Sequence, residues 1–110
     1  MKILFLGDVV GLSGCKKISK DLLGQIKKNN IDFVIINAEN ADNTGVGLTK
    51  EICQNFFENG VDVITTGNHV WDQKDIMNFI DKENRLLRPK NLFEPAPGRG
   101  FEIYKSKKNY

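Results

Sequence analysis

The sequence predicts an α/β fold: a parallel β-α-β-α-β-α sheet with helices on both faces. Three observations carry that prediction. Short, β-rich apolar runs recur at Ile3–Leu6, Phe33–Ile36 and Val61–Ile64. Stretches with helical periodicity separate them. The polar clusters behind the runs are evenly spaced: Asp8 to Glu39 is 31 residues and Glu39 to Asn68 is 29. Both intervals match one βαβ step of about 30 residues.

Each element follows from local chemistry. Ile3–Leu6 and Phe33–Ile36 are apolar at successive positions, the pattern of strands covered on both sides. Val61–Ile64 carries one polar break at Asp62. Ile18, Leu22, Leu23 and Ile26 form one apolar stripe, which predicts a helix over about 16–28. Asn29 and Asn30 supply its stop. Thr49 is placed to cap a second helix, with Glu51 at the positive end of its dipole. Its apolar stripe is Ile52, Phe56 and Phe57, and Gly60 suits the position just past its end. Asp72 and Asp75 can cap a third helix with Ile76, Met77, Phe79 and Ile80 on its core face. Beyond Asn84 the prolines and glycines break the pattern, and Phe101–Tyr104 offers one more strand.

Composition sets the class. The 110 residues are 27% charged and 40% hydrophobic, which excludes collagen, coiled coil and wholesale disorder. They form one domain, 1–110, ending in a basic tail at 105–110. Net charge is +2, but Lys105, Lys107 and Lys108 account for it; residues 1–104 carry 13 basic and 14 acidic groups. No basic face marks a nucleic-acid binder. Cys15 and Cys53 fit neither a disulfide framework nor a zinc site, so reduced thiols and a cytoplasmic location are expected. No segment approaches the roughly 20 apolar residues of a membrane span.

The candidate chemistry lies behind the apolar runs. Gly7-Asp8, Asn37-Ala38-Glu39-Asn40 and Gly67-Asn68-His69 should stand side by side at the carboxyl ends of neighbouring strands. That edge is where open α/β sheets bind ligands. Taken singly, each residue has a plainer reading: Asp8 as a turn or cap, Glu39 as a loop carboxylate, Asn40 and Asn68 as turn formers, His69 as a structural imidazole. Jointly they form an oxygen-rich cluster with one imidazole, which suits divalent ions such as Mn or Fe. Two alternatives fail on spacing. A P-loop needs Ser or Thr after its lysine, where Lys17 stands, and the glycines do not run GxGxxG. Arg88 and Arg99, in a Pro- and Gly-rich stretch, read as ties to backbone carbonyls. Asn43–Gly47 reads as a mobile loop beside the site.

GDVVG (Gly7–Gly11), NAEN (Asn37–Asn40) and GNHVWD (Gly67–Asp72), in this order and spacing, resemble the calcineurin-like metallophosphoesterases. Glu39 in the second block, with RLLRP (Arg85–Pro89) and PGRG (Pro97–Gly100), is similar to their YmdB-type phosphodiesterase branch. The resemblance implies the N-terminal half of a metallophosphoesterase sandwich. It implies metal-dependent hydrolysis of phosphodiesters such as 2′,3′-cyclic nucleotides, with two divalent ions, Fe or Mn. By position, Asp8 would bind one metal, Glu39 would bridge, Asn40 would meet the first metal or the phosphate, and Asn68 would bind the second. His69 would protonate the leaving oxygen. The family completes its centre with later histidines, and this sequence has one histidine in all. The resemblance therefore implies a half-site in an apparently truncated domain. A second polypeptide supplying the C-terminal half, or a homo-oligomer, would complete it. The alternative is a non-catalytic remnant or an assembly module that pairs with a second half.

Overall fold

The computed structural model describes residues 1–107. Of the expected basic tail, residues 108–110 lie outside the described ones. The elements are β1 (Ile3–Leu6), α1 (Gly11–Asn29), β2 (Phe33–Asn37), α2 (Lys50–Glu58), β3 (Val63–Thr65) and β4 (Leu86–Leu87). Two short 3-10 helices, Lys74–Asn78 and Ile80–Lys82, join β3 to β4. The four strands form a parallel sheet in the order β1-β2-β3-β4.

That order decides where the helices lie. Strands laid down in sequence and joined by crossovers of one hand carry their connections on a single face. Helices α1 and α2 accordingly touch: the Ser19 hydroxyl and the Asn55 side-chain oxygen lie 2.9 Å apart. The expected helices on both faces therefore reduce to helices on one. Leu4 and Leu6 of β1 stand in register with Val34 and Ile36 of β2, and Ile36 continues to Ile64 and Leu86. Against this layer pack Leu22, Phe56, Ile76 and Ile80, each at most 4% exposed. The opposite face is apolar as well. Phe5 is 59% exposed and Ile3 52%. Their neighbour Phe33 meets the Tyr104 ring at a centroid distance of 6.1 Å.

The capping chemistry accounts for most helix ends. Asn30 ends α1 in the left-handed conformation at φ 53°, and Lys27 and Lys28 occupy the last turn, where cations suit the dipole. Thr49 Oγ1 accepts the Ile52 N–H at 3.3 Å at the start of α2. Gly60 follows its end at φ +99°. Helix α1 begins at Gly11 rather than near Lys16. Gly11 adopts φ +62° and donates its N–H to the Asn40 carbonyl at 2.9 Å, so the first turn starts directly behind Asp8.

Three expectations change. The third helix is replaced by the two 3-10 turns, and Met77 is exposed while Ile76, Phe79 and Ile80 are buried. Asp72 and Asp75 do not cap it, because both carboxylates are engaged elsewhere. Asp75 Oδ2 accepts the Lys50 N–H at 2.9 Å and so caps α2 across the fold. Phe101–Tyr104 forms no strand. The edge position goes instead to Leu86–Leu87, which pairs with Ile64 and Thr65. Arg88 is 4% exposed and ties the following loop through the Pro97, Pro89 and Ala96 carbonyls, the structural role expected of it.

Candidate functional site

The three polar clusters meet at the carboxyl ends of β1, β2 and β3. Backbone bonds set their spacing: Val9 N–H donates to the Asn37 carbonyl and Ala38 N–H to the Thr65 carbonyl, both at 3.0 Å. Two side-chain contacts then knit the clusters together. Asn40 Nδ2 donates to Asp8 Oδ1 at 2.8 Å, tying the end of β2 to that of β1. The His69 backbone N–H donates to Glu39 Oε2 at 3.3 Å, tying β3 to β2. Asn37 Nδ2 reaches Glu39 Oε1 at 3.5 Å, a weak third tie. Asn68 stands exposed between Gly67 and His69. Asp8, Glu39, Asn40, Asn68 and His69 thus share one edge.

The polar bookkeeping at this edge is incomplete. The side-chain oxygens of Asn37 and Asn40 are both buried without a hydrogen-bond partner. Buried acceptors are nearly always satisfied, so each such oxygen asks for a donor or a cation. Here they lie beside two carboxylates. This donor set, carboxylate plus amide oxygen, fits a hard or borderline divalent cation. It is also a partial set: among the described residues no group of three or more His, Cys, Asp or Glu side chains gathers.

Asp72 is the residue that reading the sequence assigned elsewhere. Its Oδ2 lies 2.7 Å from His69 Nδ1, and both side chains are a little over a third exposed. A carboxylate only accepts, so Nδ1 carries the proton and Nε2 is the ring nitrogen left for another partner. The signal was present in HVWD: in an irregular turn, residues three apart can meet. The assumption of a helix start at Asp72 concealed it.

The loop read as mobile is tied at both ends. Asp42 N–H donates to the Gly47 carbonyl at 2.9 Å, and Gly47 N–H to the Glu39 carbonyl at 2.6 Å. Gln73 Nε2 donates to the Val46 carbonyl at 3.1 Å and to Asp42 Oδ2 at 3.3 Å. Cys15 lies under the same loop, with Sγ donating to the Ala41 carbonyl at 3.3 Å. Burial raises its pKa above the usual thiol value, helped by the nearby charge of Asp42. Neither cysteine is disulfide-bonded.

A family model described as YmdB-like protein matches residues 4–110. A curated relative, the 2′,3′-cyclic-nucleotide 2′-phosphodiesterase of Bacillus subtilis, is 45% identical over 107 residues. That match covers 96% of this chain and 40% of the relative. Among solved structures, a hypothetical protein from Thermus thermophilus superposes with a TM-score of 0.82 at 34% identity, over 96% of this chain and 42% of that one. A structure described as a novel phosphatase from Mycoplasma pneumoniae gives 0.82 at 37% identity, over 94% and 39%. The chain therefore spans about 40% of the length of the proteins it matches.

Proposed function

The chain belongs to the YmdB-like protein family, and from that premise we propose that it contributes one half of a metal-dependent phosphodiester-hydrolysing centre. The remaining ligands would come from polypeptide outside these 110 residues. The observation that carries this reading is the pair of orphaned amide oxygens, on Asn37 and Asn40, beside the carboxylates of Glu39 and Asp8. Asp8, Glu39, Asn40 and Asn68 would hold two divalent ions, Mn or Fe. Such ions neutralise charge on a phosphoryl oxygen and make bound water a better nucleophile.

The chain's own residues do the rest. Asn40 ties the exposed Asp8 carboxylate to the end of β2. Glu39, tied to the turn after β3 through the His69 N–H, would be the carboxylate shared by the two ions. His69, with its Nδ1–H held by Asp72, would act as the acid only as the imidazolium, giving the Nε2 proton to the leaving oxygen and returning to the neutral ring, a contribution worth about 10²–10⁴-fold. The substrate class we favour is the 2′,3′-cyclic nucleotide, from the name of the Bacillus subtilis relative. The free thiols fit a reducing cytoplasm, and among the described residues no helix is long and apolar enough to cross a membrane.

The test is direct. The purified chain is assayed with Mn²⁺ on a generic phosphodiester. Little turnover is expected from the chain alone. Robust hydrolysis abolished by Asp8→Ala would show that this half suffices and would sink the split-centre reading.

A second reading has its own support. The all-apolar strand β1 is an edge strand, and beside it a groove of about 590 Å³ has an apolar floor of Leu4, Leu6, Ile18, Leu22 and Ile31 and a polar rim that includes Lys2, Lys17 and Asp21. An open apolar edge favours assembly with a second polypeptide or a second copy. If a metal-free chain pairs with such a partner and neither hydrolyses a phosphodiester, the assembly role stands alone.

A further inference from the structure

We propose that Gly67 is a positioning residue for the Glu39 carboxylate, its lack of a side chain being what lets that carboxylate sit between β2 and β3. Five glycines of the chain hold a positive φ that favours glycine for its backbone; Gly67 is not among them. What it offers is space. A Cβ built on Gly67 would overlap Glu39 Oε1 and lie 2.6 Å from Oε2 and 2.7 Å from Cδ. These are its three nearest atoms, all from the one carboxylate.

Other glycines show the contrast. At Gly100 the nearest atom is the Lys90 Cα at 2.6 Å, and at Gly47 the Gln73 backbone nitrogen lies at 2.9 Å. A side chain there must move main chain. At Gly67 it need only displace the far end of a flexible glutamate, so the fold survives while the carboxylate does not stay in place. Two ties would then be lost: the 3.3 Å bond from the His69 N–H to Oε2 and the weak contact from Asn37 Nδ2 to Oε1. The inference deepens the proposed function only in giving that placed carboxylate an ion to bind.

The experiment uses the full chain and two readouts. The first needs no metal: the amide proton of His69, followed by NMR in EDTA. In Gly67→Ala its shift should move upfield and its exchange quicken, as in Glu39→Ala, while the melting temperature in EDTA holds. The second is Mn²⁺ binding by calorimetry. Gly67→Ala should weaken it about 10–100-fold, the range for losing a residue that orients a ligand. The loss should vanish in a Glu39→Gln background, because residues acting through one group are not additive. An unchanged His69 amide in Gly67→Ala overturns the proposal, whatever the metal does. So does a Mn²⁺ loss that persists undiminished in Glu39→Gln. A wild-type chain that binds no Mn²⁺ but shows the amide change retires the metal reading and leaves the positioning role standing.

Discussion

His69 is the one histidine of the chain, so its ring nitrogens can be observed by NMR without any problem of assignment. The 2.7 Å contact between Nδ1 and Asp72 Oδ2 fixes which nitrogen carries the proton in the neutral ring. The wild type should show Nδ1 protonated and Nε2 bare. Asp72→Asn replaces the acceptor with an amide that can present its NH₂ instead, so the ring should shift toward the other tautomer. Nitrogen chemical shifts separate the two forms; identical spectra in the two proteins would remove Asp72 from the site. At this scale the sequence was readable for types and blind to partners. Asp8, Glu39, Asn40, Asn68 and His69 could be named because three similar blocks recur at one βαβ interval. Asp72 and Gly67 were missed, since their roles depend on distances inside a turn and across two strands.

Caps show how elements were read correctly from local rules and wrongly from local assumptions. Thr49 was legible because an Ncap bond reaches only three residues along the chain. Asp75 was misread because its partner, the Lys50 N–H, lies 25 residues away. Both groups satisfy donors at the same end of α2. Thr49→Ala and Asp75→Ala should therefore each lower stability by about 1 kcal/mol in urea unfolding, a typical capping loss. An Asp75→Ala variant as stable as the wild type would mean that water serves Lys50 equally well. Strand β4 escaped notice for another reason. Two residues inside a proline-rich stretch carry no periodicity, and only pairing with Ile64 and Thr65 makes them a strand.

The same helix carries a pH dependence. Cys53 is buried at 1% exposure on its core face, and burial, reinforced by Glu83 and Asp75, pushes its thiol far above the usual value. A raised folded pKa means that the unfolded chain releases this proton first. The thiol's contribution is thus complete below the unfolded pKa of about 8.5 and is lost as pH rises beyond it. The loss runs up to about 1.4 kcal/mol per pH unit. The stability gap between wild type and Cys53→Ala should accordingly narrow from pH 8 to pH 10. A constant gap would place the thiol in contact with water.

At the scale of the whole molecule, the sheet is covered fully on one face and in part on the other, where Val63 is buried and Phe33 meets Tyr104 but Ile3 and Phe5 are more than half exposed. Successive apolar positions in Ile3–Leu6 and Phe33–Ile36 announced strands covered twice, and the sequential strand order puts every helix on one face. Both statements hold if the rest of the second cover, over β1, comes from polypeptide outside these residues. This agrees with a chain that spans about 40% of its relatives. Periodicity reports what a strand is built to face, not whether the facing layer is present in the same 110 residues. Phe5, 59% exposed, tests this. If the outer face awaits a cover, Phe5→Lys should reduce apolar-dye binding and self-association of the isolated chain while leaving its melting temperature unchanged. A solvated half-exposed ring contributes little to the fold it stands on. A variant that unfolds instead would make Phe5 part of this chain's own core and the sheet complete as it stands. Ile36→Lys supplies the contrast: at 0% exposure on the covered face, it should abolish folding, because an unpaired charge would be buried between Leu6 and Ile64.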